Sequence, residues 1–272
     1  MSNYKLIAID MDGTLLKTDK TISQKTAEAI AKAVASGKYV ALSTGRSVDE
    51  LRDYEKEIAG IPYYVLENGS LVYDAINKKS LHTDSLTLEQ AHQVFDMSQT
   101  EDVMLYYDSF GKTVVDADKM PIIDKYGMEA YKDVYERYHT LVSDVPSYYY
   151  AHAGSLEKVI FFCATPEIRA KLYEQMKDYP VAFAFTEEKS LEISPCGVNK
   201  ATGLGHLCDI LGIDLSECIA VGDAGNDLAM LKAVGLPIAM GNSTDEVLAL
   251  CDVVVADNDH DGVAEAIEKY LL

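Results

Sequence analysis

Apolar runs recur along both ends of the chain, and polar residues interrupt each run at one end. Residues 4–9 are apolar with little alternation, the pattern of a strand buried on both faces. That run closes as Ile7-Ala8-Ile9 and passes straight into Asp10-Met11-Asp12-Gly13-Thr14-Leu15. Ala27, Ile30, Ala33 and Val34 follow with helical spacing. Ser23 is placed to cap that helix and Gly37 to stop it. Residues 39–42 predict a second strand, Ser47 a cap for a helix through about Ile58, and Pro62 the opening of a third strand at 63–66. This βαβαβ order predicts a parallel sheet with right-handed crossovers. The rhythm resumes late: a helix at 200–211, strand 218–221, a helix after Asn226, strand 236–239, helix 244–250, strand 253–255 and a last helix at 261–271. Both ends therefore predict one α/β, Rossmann-like doubly wound unit.

The middle of the chain reads differently. From about 84 to 190 tyrosines and charges increase, and no acid cluster follows an apolar strand. Residues 102–107 and 112–115 predict a hairpin around Ser109-Phe110-Gly111. A strand at 158–163, a helix from Pro166 to about Lys177, and strands at 181–185 and 191–193 complete an inserted α+β domain. The expected organisation is a discontinuous core, 1–83 and 191–272, joined through two linkers to an insert at 84–190. The run Tyr148-Tyr149-Tyr150 is expected to pack in a strand or interface rather than clamp a ligand.

A length of 272 residues fits two domains at about 150 residues each. With 48% hydrophobic and 25% charged residues, the chain can bury a full core. The formal net charge of −20 argues against nucleic acid or an anionic membrane surface as a primary partner. Solubility alone accounts for the excess, yet any anionic ligand must then be drawn by local cations. The five cysteines are widely spaced, odd in number and free of any C-x-x-C, as expected of reduced thiols in a cytoplasmic protein. No apolar run approaches the roughly 20 residues of a membrane helix, and no basic-then-apolar leader precedes the first strand.

Four predicted strand ends carry polar groups. Asp10 and Asp12 are two acids so close that they repel unless a cation or shared proton relieves them. Ser43-Thr44-Gly45-Arg46 puts a hydroxyl and backbone N–H groups at a strand-to-helix turn, where a phosphate oxygen fits. Lys200 opens a helix after Gly197-Val198-Asn199 and adds a point charge to its positive end. Gly222-Asp223-Ala224-Gly225-Asn226-Asp227 supplies two further carboxylates and an amide. Each alone has an ordinary explanation as a turn, a cap or a solvated helix end. Four in one parallel sheet are hard to attribute to capping. Oxygen ligands from Asp10, Asp12 and Asp223 suit Mg²⁺.

These motifs resemble those of the haloacid dehalogenase superfamily of phosphohydrolases. Asp10 to Leu15 is similar to its first motif, Thr44-Gly45-Arg46 to its second, Lys200 to its third, and Gly222-Asp223 through Asn226-Asp227 to its fourth. The resemblance is closest to the Cof-type IIB subfamily, through Glu67-Asn68-Gly69, Gly197-Val198-Asn199-Lys200, Met240-Gly241-Asn242 and Asn258-x-x-Asp261-Gly262-Val263-Ala264. Gly225 and His260 are small departures. The long gap between Thr44 and Lys200 matches a cap of the type the family calls C2.

The resemblance implies that Asp10 attacks phosphorus to form an aspartyl-phosphate. Asp12 would protonate the leaving oxygen and then deprotonate the attacking water. Mg²⁺ would be held by Asp10, the Asp12 backbone carbonyl and Asp223. Thr44, the Gly45 N–H, Lys200 and Asn226 would bind phosphoryl oxygens, and Asp227 would orient Lys200 or the waters of the metal. It implies small phosphorylated metabolites, chiefly sugar phosphates, as substrates. Lys158, Arg169 and the tyrosine run are candidates for specificity, although surface or core roles suit them better. Phosphomutase activity of the phosphomannomutase type and non-catalytic phosphate binding are the competing functions. The oligomeric state is not legible in the sequence.

Overall fold

A computed structural model describes residues 3–272 and divides the chain into two compact units. The first comprises the chain up to Arg46, Tyr54–His82 and Val198–Leu272, and the second comprises Ser47–Asp53 and Thr83–Gly197.

In chain order, the first unit begins with β1 (Leu6–Asp10), α1 (Gln24–Ala35), β2 (Tyr39–Ser43), β3 (Tyr63–Leu66), β4 (Leu71–Asp74) and β5 (Lys79–Thr83). The inserted segment follows as α2 (Leu88–Ser98), β6 (Val103–Ser109), β7 (Lys112–Asp116), α3 (Lys132–Tyr138), β8 (Thr140–Val142), α4 (Val145–His152), β9 (Leu156–Cys163), α5 (Pro166–Met176), β10 (Val181–Ala184) and β11 (Ser190–Pro195). The chain then returns with α6 (Lys200–Leu211), β12 (Cys218–Gly222), α7 (Leu228–Ala233), β13 (Leu236–Ala239), α8 (Asp245–Leu250), β14 (Val253–Val254) and α9 (Gly262–Ala266), which continues through Ile267–Leu271.

The core sheet has the order β14-β13-β12-β1-β2-β3-β4-β5. It is parallel from β14 to β3, with Leu6 beside both Tyr39 and Cys218 and Asp10 beside Ser43. Leu6, Ala8, Ala41 and Ala220 pack with Leu204 and Leu207 of α6 and with Met230 and Leu231 of α7. Their alternates Ile7, Ile9, Val40 and Leu42 are also fully buried, so the sheet is covered on both faces, as its unbroken apolar runs require. Ser23 caps α1 by accepting from the Thr26 N–H, as its sequence predicts. The sheet places β1, β2 and β12 side by side, with their C-terminal ends at one edge.

The second unit is built on a sheet of order β10-β11-β9-β6-β7-β8, antiparallel except for β7–β8. Alternation divides its two faces. Leu105, Tyr107, Val159 and Phe161 pack with Val94 and Phe95 of α2 and Leu172 of α5, whereas Met104, Tyr106 and Phe162 pack with Met120, Tyr126 and Tyr135. This is the α+β cap inserted in a Rossmann-like core.

Several expectations are corrected. The stretch after Ser47 is a short 3-10 turn, Asp49–Tyr54, instead of a helix to Ile58. Its polar groups turn to the second unit: the Ser47 and Thr113 hydroxyls lie 2.8 Å apart, and the Asp49 carboxylate accepts from the Thr113 N–H at 3.0 Å. The insert does not end at 190, because β11 pairs with β9 and β10 and carries the second unit to Gly197. Two core strands, β4 and β5, were not anticipated. β5 reads Lys-Ser-Leu-His-Thr and lacks an apolar run, and an Asp74 carboxylate that accepts from the Ile76 and Asn77 N–H groups turns the chain between the two. The tyrosine run lies in α4, with Tyr149 fully buried. Asp108, within β6, is fully buried. Among the described residues, no helix is long and apolar enough to cross a membrane.

Candidate active site

Asp10 ends β1 with only 5% of its surface exposed. Lys200 is brought to it by α6. Asn199 caps that helix, accepting from the Ala201 and Thr202 N–H groups, and this fixes Lys200 as the first helical residue. The helix can approach because two glycines meet. A Cβ on Gly69 (φ +112°) would lie 2.1 Å from the Asn199 carbonyl oxygen, and one on Gly203 would lie 2.7 Å from Gly69. The Lys200 ammonium donates to Asp10 Oδ1 at 2.5 Å and to Asp227 Oδ1 at 2.7 Å, with 1% of the lysine exposed.

The β12 end completes the group. Asp227 is fully buried, and its Oδ2 accepts from the N–H groups of Asp223 (3.0 Å) and Ala224 (3.1 Å), which folds the loop back on itself. Thr14 donates its hydroxyl to Asp223 Oδ1 at 2.7 Å. Gly13, at φ +82°, lets Asp223 approach so closely that a Cβ there would meet its Oδ2 at 2.4 Å. Asp10, Asp223 and Asp227 each offer a carboxylate oxygen within 4.8 Å of the others.

Two buried acids on one lysine, with the half-buried Asp223 beside them, leave excess negative charge. Burial, opposed by Lys200 and reinforced by Asp227, raises the Asp10 carboxyl to about 7. Burial also raises Asp223. Lys200 is desolvated, but Asp10 and Asp227 outweigh that and hold its pKa above the usual lysine value. An all-oxygen donor set with unrelieved charge fits a hard divalent cation.

Asp12 stands apart. Its side chain is 42% exposed. Its carboxylate accepts from Arg46 Nε and Nη2, both at 2.9 Å, and from Lys20 Nζ at 2.9 Å. Burial acts to raise its pKa, but Arg46 and then Lys20 outweigh burial and hold it below the ordinary carboxylate value. Thr44 is buried; its N–H donates to the Val65 carbonyl and its hydroxyl accepts from the Arg46 N–H at 3.3 Å. Gly45 lies against Asn68, where a Cβ would come within 3.1 Å of the side-chain amide. Glu67, Asn68 and Gly69 all have positive φ, and the Glu67 and Asn68 N–H groups donate to the carbonyls of Arg46 and Thr44. Asn226 is exposed beside the acids.

The core motifs thus converge on one sheet edge. Sequence reasoning quoted Arg46, Thr14 and Asn242 within motifs without a role and passed over Lys20. Arg46 could have been found as the only cation directly after Thr44-Gly45. Asn242 donates to the Gly13 carbonyl at 2.8 Å and accepts from the Asn258 N–H, while Asn258 donates to the Leu16 carbonyl, so both asparagines buttress the loop after β1. The departure at His260 is an exposed imidazole beside Asp257 and touches none of these groups. Of the insert candidates, Lys158 is buried on Asp108 at 3.0 Å and Arg169 packs over Phe185. Tyr149 donates to the Ala91 carbonyl. These are roles within the fold.

A family model described as haloacid dehalogenase-like hydrolase matches residues 7–267. The chain belongs to that family. Relatives of this hydrolase include two 5-amino-6-(5-phospho-D-ribitylamino)uracil phosphatases of Bacillus subtilis. YitU is 30% identical over 97% of each chain, and YcsE is 28% identical over 99% of this chain and 97% of its own. A haloacid dehalogenase-like hydrolase from Bacteroides thetaiotaomicron superposes with a TM-score of 0.81 at 25% identity, covering 98% of this hydrolase and 99% of that one. The enzyme is a phosphatase of this family, of the Cof type.

Proposed function

We propose that the enzyme is a Mg²⁺-dependent phosphomonoesterase that acts on small phosphorylated metabolites through an aspartyl-phosphate on Asp10. The observation that carries this reading is a buried Asp10 carboxylate held by Lys200, with Asp223 and Asp227 beside it. Carboxylates so arranged are of little use to a simple phosphate binder, because they repel the ligand. They suit a nucleophile whose charge is masked before an anion arrives.

Asp10, Asp223 and the Asp12 carbonyl would hold the cation, which supplies charge neutralisation for the incoming phosphate. Lys200 favours the ionised form of Asp10 and stands ready to bind a phosphoryl oxygen together with the Thr44 hydroxyl, the Gly45 N–H and the Asn226 amide. Asp227 positions Lys200. Asp10 attacks phosphorus in line with the departing alkoxide, and Asp12 is the proton-transfer group. With Arg46 and Lys20 upon it Asp12 is ionised, the form that deprotonates water in the second half-reaction. Delivering a proton to the leaving alkoxide in the first requires Asp12 to leave both cations.

The substrate class rests on the relatives named above, whose printed substrate carries its phosphate on a sugar-alcohol chain; a phosphorylated sugar or polyol is the class proposed here. The test is phosphate release from a panel of sugar, polyol and nucleotide monophosphates, with Mg²⁺ or with chelator. Turnover that depends on Mg²⁺ and vanishes in a folded Asp10→Asn variant is expected. Equal turnover in chelator, or in Asp10→Asn, overturns the reading.

A further inference from the structure

Two histidines meet at the edge of the core sheet. β5 ends the order of that sheet, beside β4. Its sequence, Lys-Ser-Leu-His-Thr, has one apolar residue, Leu81, which packs on the cluster containing Leu204 and Leu207 of α6. His82 comes next, and its ring stacks on that of His206, also on α6, with centroids 3.7 Å apart and planes inclined by 23°. Both histidines belong to the first unit, and both are half-buried, so solvent reaches them. Their approach has the same origin as that of Lys200. Gly203 rests against Gly69 and Val65, where a Cβ would not fit, and His206 lies three residues further along the same side of the helix. In sequence the two histidines stand on either side of the whole insert, so no local turn requires them to meet.

Nearly parallel rings align their edges, and each ring here offers a nitrogen within 4.8 Å of one on the other. Two bonds of about 2.0 Å at a tetrahedral cation span roughly 3.3 Å, a gap that small ring rotations close. These donors differ in kind from those around Asp10. Carboxylate oxygens suit a hard cation, whereas imidazole nitrogens suit Zn²⁺, Cu²⁺ or Ni²⁺ and have little affinity for Mg²⁺. Asp84, tethered two residues beyond His82, supplies a carboxylate from the chain itself, and water fills the remaining position. His206 follows Lys200 by six residues, about 9 Å along the helix, so a cation on the histidines is separate from the acid group that Lys200 neutralises.

We propose that His82 and His206 form a metal site of their own, which takes a transition-metal ion of the Zn²⁺ class and staples the edge strand β5 to α6. The strand has a single apolar anchor in Leu81, and the ion adds a second tie to the same helix. An ion that binds the folded chain alone stabilises it by mass action. The stability of the core is thereby linked to a cation different from the one that the carboxylates at the β1 and β12 ends select. This inference does not rest on the phosphatase reading.

The test titrates wild type, His82→Asn and His206→Gln with ZnCl₂ by calorimetry, in excess MgCl₂ to compete for the oxygen donors around Asp10. Wild type is expected to bind one equivalent, and each variant to bind it about a hundredfold more weakly, because chelation by two rings gives way to one. The unfolding midpoint is expected to rise with Zn²⁺ in wild type and to stay in place in the variants, whose fold is checked by circular dichroism. A second probe needs no variant. One equivalent of Cu²⁺ on wild type is expected to give an electron paramagnetic resonance spectrum split by two nitrogens, a signature that the carboxylates around Asp10 cannot produce. Equal Zn²⁺ affinity in all three proteins overturns the site and leaves the two rings as packing alone. A wild-type Cu²⁺ spectrum without nitrogen splitting overturns it as well.

Discussion

Replacing Lys200 with methionine tests the electrostatic design of the site. The change keeps the length of the side chain and removes a cation that lies 2.5 Å from Asp10 and 2.7 Å from Asp227. Lysine and both acids are buried, so water cannot take its place. Removing one partner of a buried ion pair costs about 3–5 kcal/mol, because the remaining charge stays desolvated. Part of that cost is escaped by protonation. The Asp10 carboxyl lies at about 7 with the lysine present. Without it the value rises further, and the variant keeps Asp10 neutral at pH 7.5. A neutral Asp10 is no nucleophile, so turnover is lost together with stability. The chain has no tryptophan, so urea unfolding is followed by circular dichroism. The midpoint of Lys200→Met is expected well below that of wild type. A cation bound with a hundredfold excess over its dissociation constant contributes about 2.7 kcal/mol. MgCl₂ is therefore expected to recover more of the midpoint in the variant than it adds to wild type. An unchanged midpoint in the variant would refute the claim that this lysine neutralises the acid group.

Three further outcomes follow from the geometry. Gly203→Ala places a methyl group against Gly69 and Val65 at 2.7 Å; it is expected to cost about 1–3 kcal/mol in urea unfolding and to lower kcat, because α6 carries Lys200. Arg46→Met releases the strongest cation on Asp12, so the Asp12 pKa rises and the acid limb of the kcat/KM profile is expected to move to higher pH. Burial, then Asp108, pushes the Glu157 carboxyl from 4.5 up to about 8. The folded state thus binds this proton more tightly than the unfolded state, so stability falls as pH rises from about 4.5 to about 8, by at most on the order of 4–5 kcal/mol. Glu157→Gln is expected to flatten that decline in denaturation curves taken from pH 5 to 8, and an unchanged slope would count against it.

The parallel core was legible because its strands are buried on both faces and end in polar punctuation. β3 matches its predicted 63–66 range, and Lys200 is the first residue of α6 as its Gly-Val-Asn prelude suggests. The insert was less legible, since α4 has little apolar periodicity and carries a tyrosine run that reads as a strand. The capping box of Thr87 and Gln90 that opens α2, with Ala91, Val94 and Phe95 at helical spacing behind it, was present in the sequence and was passed over. The 3-10 turn at Asp49–Tyr54 could not be foreseen, because its polar side chains bond to Thr113 and Arg137, far along the chain. At the site, residue types marked Asp10, Thr44, Lys200 and Asp223, whereas the partners of Asp12 depend on the approach of Arg46 and Lys20, which spacing does not encode.

The central claim is that Asp10 accepts the phosphoryl group. Wild-type enzyme mixed with an excess of a good phosphoester and Mg²⁺, quenched in acid and digested, is read by mass spectrometry of the peptide containing residues 7–15. The expected result is a fraction of that peptide heavier by one phosphoryl group, located on Asp10, removed by hydroxylamine and absent in Asp10→Asn. Full-rate phosphate release by the wild type, with no such adduct on Asp10 there or in an Asp12→Asn background where hydrolysis of the aspartyl-phosphate is slowed, would contradict the account.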